Sequence, residues 1–196
     1  LRVQTHDYSN KLNLIGALVQ MGKNEQAIEI IGQESQGSQA QIHNLLNRIQ
    51  DPVLAGLLVG KYHKARELNV ALELNPDSLL GVIARKEMLE RVISILGNLI
   101  DNAIEAAVRA SGSRSAKVRV TVDETSKTLL FDVEDTGFGL GSDHDVIFTP
   151  QYSSKSGAEH GIGLYLVKTN LGSCGGTLEI GESDLLGARL SVYIPK

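Results

Sequence analysis

Three short stretches and one histidine hold the side chains of this chain best suited to chemistry. Asn98 and Asn102 stand four residues apart, Asp135 precedes Gly137 and Gly139, and Gly161 and Gly163 lead into Leu164. An amide oxygen is a hard donor of the kind Mg²⁺ accepts in a near-octahedral shell, whose other positions go to water and substrate phosphates. A carboxylate only accepts hydrogen bonds, so Asp135 can select an exocyclic amino group such as that of adenine and reject the carbonyl of guanine. Glycines ahead of a helix let backbone N–H groups approach phosphate oxygens at the positive end of the helix dipole. In that order the stretches mark a nucleotide site, with Asn102 and Asn98 as the candidate Mg²⁺ ligands. His6, followed by Asp7, adds a neutral imidazole able to attack a γ-phosphoryl group if it faces solvent.

The elements that must position these groups follow from periodicity. Residues 1 to about 21 and about 24 to 49 read as two helices, separated by Gly22-Lys23-Asn24. On the first, Leu12, Ile15 and Val19 fall opposite His6, while Asn10 and Asn13 fall near it, which turns His6 to solvent. The second carries Ala27, Ile28, Ile31, Ile42, Leu45, Leu46 and Ile49. Such a hairpin needs a partner for its apolar stripe, and a second copy making a four-helix bundle supplies it, so a homodimer is expected. Asp51-Pro52 reads as an N-cap with Pro in the first turn of a helix over 52–68. This places a domain boundary near Gln50, with a helical domain at 1–50 and a second domain at 51–196. Residues 69–74 read as a strand, 85–110 as a long helix, 117–122 and 128–133 as a hairpin, 161–171 as a helix, and 176–182 and 187–194 as closing strands. The expected fold class is α+β, with helices on one face of a mixed, mainly antiparallel sheet.

On the long helix Asn98, Asp101, Asn102 and Glu105 form a polar face opposite Val92, Leu96, Leu99, Ala103 and Ala107. The stretch from Gly141 to His160 reads as a lid, anchored by Phe148, whose Ser153 and Ser154 reach phosphate oxygens. Lys155 serves there either as a phosphate contact or as an ordinary residue of a long surface loop.

The ordered series, with His6-Asp7-Tyr8-Ser9-Asn10-Lys11-Leu12 and with Gly60-Lys61 ahead of Ala65-Arg66-Glu67-Leu68, resembles the dimerisation and ATP-binding core of a sensor histidine kinase. Its spelling looks most like the citrate and C4-dicarboxylate sensor branch. The resemblance spans nearly the whole chain and implies a catalytic domain of GHKL type, a Bergerat-type α/β sandwich. It also implies Mg-ATP-dependent phosphorylation of His6, then transfer to an aspartate on the receiver domain of a response regulator. In such kinases Asp135 would hold adenine, Asp7 would orient the imidazole or take up its proton, and Asn10 would position a water for dephosphorylation of the partner.

Composition bounds the rest. A net charge of -4 gives no electrostatic reason to bind nucleic acid or an anionic membrane surface. The longest apolar run, Val53 to Val59, is far short of the roughly 20 residues that cross a bilayer. With one cysteine, Cys174, no intrachain disulfide forms, and a cytoplasmic setting is expected. Leu1 at the start, with His6 so close to it, reads as a fragment of a longer protein, and the resemblance implies that the full protein is membrane-anchored. Gly56 to Lys61 imitates a Walker A loop, but Tyr62 stands where Ser or Thr must ligate Mg²⁺. Two rival functions are a GHKL-type ATPase machine, typically acidic where Asn98 stands, and an ATP-binding dimeric scaffold without phosphotransfer.

Overall fold

The computed structural model describes residues 14–24, 26–27, 39–140, 148 and 162–196. The chain divides into two units, Leu1–Asn44 and Leu45–Lys196.

In the first unit residues 14–20 are helical and end at Gly22, with φ 72°. The Gly22 N–H donates to Val19 O at 3.0 Å and the Lys23 N–H to Leu18 O at 2.9 Å. These two bonds satisfy the last carbonyls of the helix, and the left-handed residue they require is a glycine. The stop expected at Gly22-Lys23-Asn24 is therefore realised. Leu14, Val19 and Met21 are exposed in the single chain. The start of the expected first helix, and the part of the second that carries Ile28 and Ile31, lie outside the described residues.

Helix α1 (Gln39–Arg48) crosses the division. Its last turn belongs to the second unit, where Leu45 and Ile49 are buried in the core. Ile49 pairs with Leu80 as a parallel bridge, and the Gln50 N–H donates to Leu80 O at 2.8 Å. Helix α2 (Pro52–Glu67) starts as the sequence predicts: Asp51 Oδ1 accepts the Val53 and Leu54 N–H groups at 3.0 and 3.1 Å. Its Oδ2 accepts the Ile83 N–H at 3.1 Å, so one buried carboxylate caps a helix and holds a distant loop. Asp51→Ala should cost about 2 kcal/mol, because three N–H groups lose an acceptor. A lower urea midpoint at unchanged slope is the expected result.

Past the C-cap Leu68 of helix α2, Asn69 has φ 58°, and the Val70 N–H returns to Ala65 O at 2.8 Å. Asn69 therefore closes the helix rather than opening the strand, a role asparagine tolerates because it visits the left-handed region at low cost. The strand β1 runs Ala71–Leu74. Then follow α3 (Lys86–Ala110), β2 (Lys117–Glu124), β3 (Thr128–Asp135), α4 (Ile162–Cys174), β4 (Thr177–Glu182) and β5 (Ala188–Pro195).

The sheet order is β1-β2-β3-β5-β4, with β1 parallel to β2 and the other pairs antiparallel. Alternation fixes its two faces. Val118, Val120, Val122, Leu129, Phe131, Val133, Leu190, Val192 and Ile194 point to a core shared with Val92, Ile95, Leu96, Leu99, Ile100 and Ala103 of α3. The opposite face carries charge pairs: Lys117 with Glu73, Arg119 with Glu134 and Arg189 with Asp132. The helices thus cover one face of a mixed sheet, as the sequence predicts. Among the described residues no helix is long and apolar enough to cross a membrane.

Candidate functional site

Helix α3 is the spine of the site. Its apolar side is sealed in the core, which turns Asn98 and Asn102, one turn apart, toward the start of α4. A Cβ at Gly163 would stand 3.1 Å from Asn98 Oδ1 and 3.5 Å from both amide atoms of Asn102. The absent side chain leaves the α4 backbone close to both asparagines. Asn98 Nδ2 donates to Ser94 O at 2.7 Å, which presents Oδ1 to the site. Ser94 Oγ accepts from Asn170 Nδ2 at 3.1 Å, tying α3 to α4. Asn102 Nδ2 is buried and has no partner among the described residues. A buried donor without an acceptor carries a desolvation cost that a ligand oxygen would remove.

One turn beyond Asn102, Ala106 meets the loop after β3. A Cβ at Gly137 would stand 2.8 Å from Ala106 Cβ and 2.7 Å from Asp135 Oδ1, so only glycine fits. Gly139 has φ 79°, which glycine adopts without strain. Asp135 itself is buried, and its Oδ1 accepts the Gly137 N–H at 2.6 Å and the Ala188 N–H at 3.3 Å. Burial pushes its carboxyl above the ordinary aspartate value of 3.8, opposed by those two N–H groups and the Arg109 charge. The folded protein therefore holds a proton here at pH values where the unfolded chain has lost it. Ionising the buried group costs stability above the folded pKa, and that cost disappears as pH falls through it toward 3.8. Asp135→Asn should remove this component of the pH dependence, so paired melting curves across mildly acidic pH should converge as pH falls.

Sequence reasoning missed three supports of Asp135. A Cβ at Gly187 would lie 2.3 Å from Asp135 O and 2.4 Å from its Oδ1, which explains a glycine at the mouth of β5. A glycine where a strand opens is the usual mark of such close approach. Thr136 Oγ1 accepts the Lys117 N–H at 2.9 Å and holds the exit of β3. Ala106 gave no signal beyond helical spacing.

Leu164 packs against the core rather than facing outward. Phe148, expected as the lid anchor, is buried, with Lys168 Nζ 5.4 Å from its ring centroid. The imitation Walker stretch lies inside α2, so no loop forms there to cradle phosphate. Asp101, set by the sequence on the same polar face, instead turns to α2. His6, Asp7, Asn10, Ser153, Ser154, Lys155 and Gly161 lie outside the described residues.

Residues 88–196 match the model of the histidine kinase-, DNA gyrase B-, and HSP90-like ATPases. The chain belongs to this ATPase family. Its span includes every described residue of the site. Residues 1–39 match the alpha-helical domain of SpoOB-type sensor kinases. The whole chain is similar to the sensor protein CitS of Halalkalibacterium halodurans, at 35% identity over 36% of that protein. It is also similar to a probable C4-dicarboxylate sensor kinase of Bacillus subtilis, at 30% identity and again over 36%. The branch resemblance read from the sequence is borne out. The chain spans about a third of the length of these curated relatives. The catalytic domain of the histidine kinase ThkA shares the fold of this ATPase family member, with a TM-score of 0.55 and 22% identity over 73% of this chain and 92% of that one.

Proposed function

We propose that this chain is the kinase core of a sensor histidine kinase, using ATP with Mg²⁺ to phosphorylate His6 and passing the phosphoryl group to an aspartate of a response-regulator receiver domain. The observation that carries the reading is the unpartnered, buried Asn102 Nδ2 beside Gly163 in the first turn of α4. It lies on the same helix that, one turn on, meets the Asp135 loop. From Asn98 to Ala106 the helix rises about 12 Å, with the α4 end suited to phosphates and the Asp135 end to a base.

In this reading Asp135 Oδ2 accepts the adenine amino group, since the two N–H bonds to the carboxylate both go to Oδ1. Asn98 and Asn102 fit a magnesium site, because their amide oxygens are hard donors. An ion held there would neutralise charge on the phosphates. Asn98 has almost no basicity, so it orients without activating a water, and hydrolysis is slow. His6 then attacks the γ-phosphorus, ADP leaves, and the imidazole proton passes to Asp7. Asn10 positions water when the partner is dephosphorylated, Ser153, Ser154 and Lys155 reach the phosphates from the lid, Gly161 lets backbone N–H groups approach them, and residues 1–50 form a homodimeric bundle. The chain would be the cytoplasmic part of a membrane-anchored sensor for a small carboxylate.

Incubation with γ-labelled ATP and Mg²⁺ tests this. The chain should acquire an acid-labile label and His6→Gln should acquire none, with ATP affinity retained. Rapid phosphate release indifferent to His6 would instead favour an ATPase machine, and binding without labelling would favour a scaffold.

A further inference from the structure

We propose that Lys61 and Lys64 of α2 form a charge clamp on Asp101 that keeps carboxylate charge away from the polyphosphate side of α3. The inference deepens the nucleotide reading of the Asn98 and Asn102 face and rests on it. Asp101 immediately precedes Asn102 and follows Asn98 by three residues. Around the helix it lies about 60° from Asn98 and about 100° from Asn102. A free carboxylate there would border the ground proposed for the phosphates.

The structure binds both of its oxygens elsewhere. Lys61 Nζ donates to Oδ2 at 2.6 Å and Lys64 Nζ donates to Oδ1 at 2.9 Å. The lysines are three residues apart on α2, so one face of that helix supplies both. Lys61 packs over Gly97: a Cβ there would make ordinary contact, 3.8 Å from Leu57 Cδ1 and 3.9 Å from Lys61 Cε. The stem of Lys61 therefore lies across the backbone of α3, and its side chain is only 16% exposed. An ammonium so withdrawn from water needs a partner charge.

The electrostatic consequence is specific. Two cations on one anion leave this flank of α3 with one net positive charge, and at partly desolvated distances below a Debye length that charge is felt by a triphosphate. Without the lysines the same flank is negative. A clamp that only fastened α2 to α3 would hold the helices equally well without this sign.

Removing the partner separates the two roles. Calorimetric titration of the 196-residue chain with ATP and with ADP, in the presence of Mg²⁺, would compare three proteins. Lys61→Met with Lys64→Met keeps the apolar stems and should weaken ATP binding about tenfold, and ADP binding less, because fewer phosphate charges are repelled. Adding Asp101→Asn should recover about half of the lost binding free energy, to about threefold below the parent, since the negative charge is gone but the parent's positive charge is not regained. Lys64→Met alone, at the more exposed lysine, should give a smaller loss in a folded protein. Unchanged ATP affinity in the double variant, or a triple variant as weak as the double, would overturn the clamp while leaving the nucleotide site intact. Absence of ATP binding by the unmodified chain would overturn the nucleotide reading and the clamp with it.

Discussion

Gly187→Ala should cost about a hundredfold in ATP affinity, although the substituted residue contributes no side chain to the site. The added methyl would sit 2.3 Å from Asp135 O, 2.4 Å from Asp135 Oδ1 and 2.6 Å from the Gly137 nitrogen. Backbone cannot yield cheaply at those distances, so the Asp135 loop or the β5 backbone must shift. Either movement breaks the bonds that aim the carboxylate, from the Gly137 and Ala188 N–H groups. The overpacking should also lower folding stability by about 2 kcal/mol. Titration with ATP and GTP, beside urea unfolding, checks both effects. A variant that binds ATP like the parent would show that Asp135 does not need its present geometry.

Asn102→Leu should raise the melting temperature of the ligand-free chain by about 2–4 °C and abolish its response to ATP. The reason is the same orphaned amide. Nδ2 is buried without a partner among the described residues, so the ligand-free protein bears its desolvation cost. Leucine has a similar reach along the helix and nothing to leave unpaired. In the parent, ATP at about 100 times its dissociation constant should add about 2.7 kcal/mol to stability. In the variant that increment should vanish. Thermal scans with and without Mg-ATP measure both, and a ligand-free variant that melts below the parent would show the amide to be satisfied.

Much of this was readable before any coordinates. The α3 stripe, the hairpin of β2 and β3, and the Asp51 cap all follow from spacing, because burial of one helix or sheet face forces a period onto the sequence. The placement of Asn98 and Asn102 on one helix face and of Asp135 at a strand end was legible too, because helical period and strand exit are local features. Gly187 was not, since its role depends on β5 pairing with β3 fifty residues away in the chain, and no local pattern reports that register. The turning of Asp101 to α2 was hidden for a related reason. A helical wheel gives direction around one axis and is blind to the charge on a neighbouring helix. Asn69 deceived for a third, since a left-handed residue closing a helix and a polar residue opening a strand look alike in sequence.

The last turn of α1 has a mechanical consequence. The chain between α1 and α2 has no slack: Leu45 and Ile49 are embedded, and the Arg48 carbonyl accepts the Leu80 N–H at 3.0 Å. Leu79 in turn donates to Val122 O at 2.9 Å, in the strand beside β3. Within the second unit, then, the stretch from Leu45 to Gln50 is stitched through Leu79 and Leu80 to β2, so its backbone is held as a keyed joint rather than as a loose tether.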